Sequence, residues 1–365
     1  MTTTDGTIPL ARPDIGDGEK EAVGEVLESG RLVCGPRVQA FEQAVSRRIG
    51  VPHAVAFSSG TTALWALLRC LDVGPGDEVI VPAFTFPATI EAVLLNGARP
   101  VLADVTVGTL NIDPHDVATR LTSATRLVLA VDQFGLPADY PALEDVVGRR
   151  SATLVTDSAC SLGSVLDGRC CGAFGEAAVF SFHPRKIITT GEGGMVVTGH
   201  AGIAGELRRL RSHGTDADGS FVQPGLNLRM GEMAGALGGV QMERLDGFVR
   251  RRRELAAAYR ELLPRTVAMQ HVAPTAEPNY QTLAVIMDDG ATSADRDALI
   301  DALRRQGIEA TVASYCLPLL PAYAAFAQDV GAFPEALAAH ERGLALPMYV
   351  SMSDDDVARV CSALR

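Results

Sequence analysis

Lysine is almost absent. Of the 32 basic residues in this 365-residue chain only two, Lys20 and Lys186, are lysines. Codon bias explains the excess of arginine but not which lysines remain. Arginine keeps its charge and forms no usable Schiff base, so a lysine that resists the bias is a candidate for amine chemistry. Positive charge is also in deficit overall. A net charge of −12 argues against a nucleic-acid partner, because phosphate backbones need clustered positive charge. The one basic run, the four arginines at 250–253, falls in the helical stretch 245–263 and reads as a solvated, salt-bridged face. No apolar run reaches the length of a membrane span, so no membrane partner is expected. The first six residues have no basic segment leading into an apolar core, so no signal peptide is expected either. The seven cysteines are odd in number and none stands at a metal-ligand spacing. Reduced thiols in a cytoplasmic protein without a metal are the simple expectation.

What is present is an ordinary soluble composition, 47% hydrophobic and 21% charged, long enough for a large domain and a smaller one. Residues 14–48 read as helix-rich, broken at Gly30 and at Cys34-Gly35-Pro36. Short apolar runs then alternate with helical ones. Strands are expected at 54–58, 78–81, 101–104, 127–131, 153–156, 177–182 and 195–198, with helices at 61–71 and 88–95 between the first of them. Such alternation implies a mostly parallel sheet covered on both faces, an α/β fold. A glycine- and aspartate-rich loop at 214–225 precedes a helix over about 230–263. The remainder reads as a small α+β domain, with strands at 280–287 and 309–313 and helices at 294–306 and 354–364. The expected division is a large domain over 1–245 and a small one over 246–365. Ligands sit at the carboxyl ends of parallel strands, where Ser59, Thr85, Asp132, Asp157 and Ser181 fall together as one candidate site.

Lys20 lies on a charged helical start and reads as solvated. Lys186 lies in Ser181-Phe-His-Pro-Arg-Lys186, followed by Thr190-Gly-Glu-Gly-Gly194, a turn that leaves a buried strand and whose glycines allow close approach. A Schiff-base lysine needs a partner for its cofactor, and a buried carboxylate keeps a pyridine nitrogen protonated. Asp157 ends a strand 29 residues before Lys186. An acid there is also suited to capping a helix. Ser58-Ser-Gly-Thr-Thr62 offers backbone N–H groups at a helix start for a phosphate, although the same residues make good caps. Phe86 suits either stacking on a flat ring or a place in the core.

These segments, in this order, resemble the DegT/StrS family of PLP-dependent sugar aminotransferases (PLP, pyridoxal 5′-phosphate). The resemblance runs from Gly30-Arg-Leu-Val-Cys-Gly-Pro36 through Ser59-Gly-Thr-Thr-Ala-Leu64, Gly76 to Phe86, Asp157-Ser-Ala159, the Lys186 segment and Asn227-Leu-Arg229, and fades in the small domain to Gly331-Ala-Phe-Pro334 and Leu346-Pro347. It implies the aspartate-aminotransferase-like fold type I and a PLP cofactor. Lys186 then carries the cofactor covalently, Asp157 pairs with its ring nitrogen and Phe86 stacks on the ring. Gly60, Thr61 and Ser181 bind the phosphate, joined by Asn227 of a neighbouring subunit in a homodimer with shared active sites. Arg229 grips the donor carboxylate. His183 packs the ring or meets substrate. The implied reaction moves an amino group from L-glutamate or L-glutamine to a keto sugar, with a cyclitol or cyclohexenone ring, or a PLP-binding regulator without turnover, as alternatives. Family dehydratases carry histidine at the lysine position, so Lys186 speaks against dehydration.

Three positions depart from the family pattern. Cys160 stands where Gln or His is usual, at the place that meets the cofactor's ring hydroxyl. Gly225-Leu-Asn-Leu-Arg229 replaces two tyrosines with leucines. Residues 314–320 lack a histidine often found there.

Overall fold

The computed structural model describes residues 6–106, 108–150, 152–327 and 329–365. Residues 1–5, on which the expectation of no signal peptide rests, lie outside them. The apolar runs form strands close to where the pattern puts them: His53–Phe57 (β1), Glu78–Pro82 (β2), Arg99–Ala103 (β3), Thr125–Val131 (β4), Thr153–Asp157 (β5), Ala177–Ser181 (β6) and Gly194–Thr198 (β7). They build one seven-stranded sheet in the order β1-β7-β6-β5-β4-β2-β3. The pairs from β6 to β3 are parallel, and β7 runs antiparallel to both its neighbours. This is the expected α/β architecture.

Successive strand residues point to opposite faces, so both faces need cover. Val55 and Phe57 pack with Ala63, Leu64 and Leu67 of helix Gly60–Cys70 on one side. Ala54 and Ala56 pack on the other with Val38 and Phe41 of helix Pro36–Ile49 and with Leu245 and Phe248 of helix Glu232–Leu262. Residues 214–225 form the expected irregular loop, carrying one bridge between Thr215 and Phe221.

The second part has a four-stranded antiparallel sheet. Its strands are Val267–Met269 (β8), Leu283–Met287 (β9), Thr311–Val312 (β10) and Gly343–Leu346 (β11), in the order β8-β9-β11-β10. The strand expected at 280–287 starts three residues late, because Tyr280 sits at φ 49°, outside the extended region a strand needs. Strand β11 was not foreseen: it follows helix Pro334–Arg342 directly, with no turn signal between. Ile8 is buried in this second core and pairs with Ile308. The proposed division at 245/246 falls inside the 31-residue helix Glu232–Leu262, which serves both parts.

Lys20 is solvated and pairs with Asp17 at 2.7 Å. The arginine run departs in part from the expected solvated face. Arg251 meets Asp354 at 2.9 Å and Arg253 meets Glu277 at 2.8 Å. Arg252 is 3% exposed and donates instead to the carbonyls of Tyr280 and Gln281. A helix packed along a second core must bury one face, and Arg252 stands on it.

Candidate active site

The carboxyl ends of β1, β5 and β6 meet the Lys186 loop. At the end of β1, Ser59 caps helix Gly60–Cys70, its Oγ accepting the Thr62 N–H at 3.1 Å, while Thr62 Oγ1 accepts the Ser59 N–H at 3.1 Å. The capping reading is therefore right for Ser59 and Thr62. Gly60 and Thr61 keep the first-turn amides that a helix leaves without internal acceptors. Gly60 lies against the end of β6: a methyl there would come within 2.9 Å of Ser181 Cβ. Gly194, opening β7, is equally constrained, since a Cβ would lie 2.3 Å from the Ser59 carbonyl oxygen. Three backbone segments thus converge on a small concave cradle with N–H donors and a serine hydroxyl, suited to a phosphate.

The loop after β6 closes on itself. The Lys186 N–H donates to the His183 carbonyl at 2.8 Å, and the Arg185 N–H to His183 Nδ1 at 3.2 Å. His183 thus organises the turn, and burial holds its ring below the usual histidine range, which favours the neutral form. Gln281 Nε2 ties the loop to the second part through the Arg185 carbonyl at 2.8 Å. The Lys186 side chain turns inward, with Nζ 3.1 Å from Cys160 Sγ.

Asp157 ends β5 at 5% exposure. Its Oδ2 accepts from Thr89 Oγ1 at 2.9 Å and its Oδ1 from the Ala159 N–H at 3.2 Å. Burial pushes the carboxyl up; the Thr89 hydrogen bond and then the Lys186 charge pull it back. Lysine, aspartate and Cys160 therefore share one wall. Asn279, fully buried, braces that wall by donating to the Cys160 and Leu162 carbonyls at 2.9 Å each.

Asp132, grouped with the site from its strand-end position, is scaffold instead. It is fully buried, and its carboxylate is filled by the Ala138 N–H, the Tyr140 hydroxyl and the hydroxyls of Ser158 and Ser161. Phe86 is 63% exposed, which excludes a core role, and its ring centroid lies 6.4 Å from that of Tyr315. The 227–229 segment is pinned beside the cradle by the Ser58 N–H donating to the Leu228 carbonyl at 2.8 Å. Asn227 is exposed, and among the described residues its side chain makes no hydrogen bond to its own cradle. Burial raises the Cys34 thiol, and Arg229 is among the neighbouring charges that act on it in the opposite sense. Sequence reasoning missed Thr89 and Asn279. Thr89, inside a short helix, carries no signal that sets it apart from other helix hydroxyls. Asn279, in a Pro-Asn-Tyr turn, gave none.

The model for the DegT/DnrJ/EryC1/StrS aminotransferase family matches residues 13–365. The chain belongs to this family. The spore coat polysaccharide biosynthesis protein SpsC of Bacillus subtilis (strain 168) is 34% identical, over 98% of this chain and 96% of the relative. Spr1654 of Streptococcus pneumoniae, in its PLP form, superposes with a TM-score of 0.94 at 30% identity, over 98% of this chain and 97% of that one. DesV of S. venezuelae superposes with a TM-score of 0.92 at 33% identity, over 98% of each chain. The protein is accordingly a PLP-dependent aminotransferase of fold type I, and the cradle, amine and carboxylate are the groups that cofactor needs.

Proposed function

We propose that this aminotransferase moves an amino group from L-glutamate or L-glutamine to the keto group of a nucleotide-linked sugar. The observation that carries the reading is the meeting of Lys186 Nζ with Cys160 Sγ at 3.1 Å beside the buried Asp157 carboxylate. SpsC is named for polysaccharide biosynthesis and Spr1654 as a sugar aminotransferase, which supports a sugar acceptor.

The residues divide the work as follows. Gly60, Thr61 and Ser181 would hold the cofactor phosphate, Phe86 would cover the ring, Cys160 would meet the ring hydroxyl and Asp157 would pair with the ring nitrogen. When bound, PLP supplies an electron sink for the pair released at the donor's α-carbon. Lys186 would hold the cofactor covalently, and its amine, once freed by the donor, would carry the proton from the donor's α-carbon to the cofactor's C4′. Asp157 would supply the negative charge that keeps the ring nitrogen protonated. His183 holds the lysine turn and borders the acceptor. Arg229 receives the donor carboxylate as a bidentate cation.

The active unit is a homodimer in which Asn227 of one subunit completes the cradle of the other. Exposed Asn227 and the neighbouring apolar Phe221 (77% exposed), Val222 and Leu226 suit burial against a second copy. A cytoplasmic setting suits the free cysteines.

The test loads the enzyme with PLP, adds L-glutamate or L-glutamine, and offers the amine-bearing form a set of keto-sugar nucleotides and keto-cyclitols, with products read by mass spectrometry. Amination of a sugar nucleotide is expected. Amination of cyclitols alone would shift the acceptor to a carbocyclic ring. Failure of both donors to convert the cofactor would overturn the donor assignment.

A further inference from the structure

The Asp157 carboxylate is held from behind by two hydroxyls. Thr89 Oγ1 gives its one proton to Oδ2 at 2.9 Å, and lies 3.2 Å from Thr85 Oγ1. Since the Thr89 proton is committed to the carboxylate, Thr85 is the donor in the second contact. The two hydroxyls form a directed chain that ends on Oδ2, and each polarises the next. Both threonines are 1% exposed, so solvent does not replace either. Burial raises the Asp157 carboxyl, and the Thr89 bond is the largest influence opposing it. The other charged groups acting on it are the Lys186 amine, which favours the anion, and the buried Asp132, which opposes it.

Thr85 is itself fixed from outside the large sheet. The two-residue strand Phe84–Thr85 pairs antiparallel with Tyr315–Cys316, Thr85 opposite Tyr315. The hydroxyl chain therefore starts at a backbone ladder shared with the second part of the molecule.

We propose that Thr89, backed by Thr85, is a positioning residue that fixes the orientation and charge of the Asp157 carboxylate facing the cofactor's ring nitrogen. The inference rests on the reading of Asp157 given above. The hydroxyl carries the effect, not the bulk, so Thr89→Val and Thr89→Ser separate the two: valine keeps the shape and loses the donor, serine does the reverse.

The experiment uses the PLP-loaded enzyme and four variants: Thr89→Val, Thr89→Ser, Asp157→Asn and the Thr89→Val/Asp157→Asn double. Four quantities are read: the absorbance of the bound cofactor against pH, its dissociation constant, the single-turnover rate with amino donor, and the donor KM. For Thr89→Val the expected result is a shifted pH midpoint and a rate about 10- to 100-fold lower, the range for one hydrogen bond to a charged group, with a donor KM near the parent value. Thr89→Ser restores both. The double variant is no slower than Asp157→Asn alone, because Thr89 acts through that carboxylate. A Thr89→Val enzyme with the parent's spectrum and rate overturns the inference, as does a serine variant as impaired as valine, or a double variant with additive losses. If Asp157→Asn keeps the parent rate, the reading of Asp157 falls first and takes this inference with it. If Asp157→Asn is slow and Thr89→Val is not, only this inference falls.

Discussion

Asp132 offers a sharp quantitative test of how the site loop is held. Its Oδ1 accepts the Ala138 N–H at 2.9 Å and the Tyr140 hydroxyl at 2.5 Å; its Oδ2 accepts the Ser158 hydroxyl at 2.9 Å and the Ser161 hydroxyl at 2.6 Å. In Asp132→Asn the amide oxygen keeps the first two donors. The new NH2 faces two serines whose hydroxyls can rotate to accept, Ser158 towards Thr156 Oγ1 at 3.2 Å and Ser161 towards the Ser158 carbonyl at 3.3 Å. Asn should therefore cost less than about 1.5 kcal/mol, the net worth of one ordinary hydrogen bond. Asp132→Ala leaves the Ala138 N–H and the Tyr140 hydroxyl buried without an acceptor, at about 1–3 kcal/mol each, so a loss of about 2–6 kcal/mol is expected. The sign with pH is also fixed. Burial raises the folded carboxyl above its ordinary 3.8, so the wild type loses this group's contribution as pH rises through the folded value. The gap between wild type and Asn should accordingly narrow as pH rises from the ordinary carboxyl value through the folded one. Urea denaturation of the cofactor-free protein measures all three quantities. Equal costs for Asn and Ala, or an Ala variant within about 1 kcal/mol of wild type, would refute the assignment of Asp132 as a hydrogen-bonded brace.

Two further outcomes bear on the cofactor. Lys186→Ala should abolish both the covalent absorbance of the bound cofactor and amino transfer, with PLP still retained non-covalently; residual turnover would remove Lys186 from the chemistry. Gly60→Ala places a methyl 2.9 Å from Ser181 Cβ, forcing the cradle open, so the PLP dissociation constant should rise by about tenfold, the equivalent of one lost charged hydrogen bond. Absorbance titration of the cofactor-free protein measures it, and an unchanged constant would show that the cradle does not depend on that close approach.

Much of this was legible in the chain because the signals are local. Lys186 stands out by rarity, Asp157 by its strand end, and Gly60 by its place between a strand and an apolar helix. The strands of the large sheet came within two residues of their expected ends, where each apolar run was bounded by turn residues. What stayed hidden depends on contacts across long sequence separations. Thr89 reaches Asp157 over 68 residues, and inside a short helix it reads as one more hydroxyl. Asn279 reaches the Cys160 carbonyl over 119 residues from a segment that reads only as a turn. Arg252 looked solvated because its neighbours are, and only the packing of a second core against that helix decides otherwise. Asp132 failed in the opposite way: a strand-end acid has the same sequence signature whether it faces a ligand or a ring of its own chain's donors.

The ties between the two parts also account for the weakness of the small-domain motifs. Gln281 grips the Arg185 carbonyl behind Lys186, Asn279 grips the Cys160 carbonyl, and the main chain at Tyr315–Cys316 pairs with that of Phe84–Thr85, from which the hydroxyl chain to Asp157 begins. Each tie ends on main-chain atoms of a site loop. A carbonyl accepts from any suitably placed donor, and a strand pair needs only a backbone, so these duties place light demands on residue identity. The second part can thus hold all three pieces of the site in register while its sequence signature fades. Where the parts meet through aromatic side chains, Tyr315 faces Phe86 with ring centroids 6.4 Å apart. The main-chain ties set the register of the site loops, and this ring pair adds a contact that does depend on residue identity.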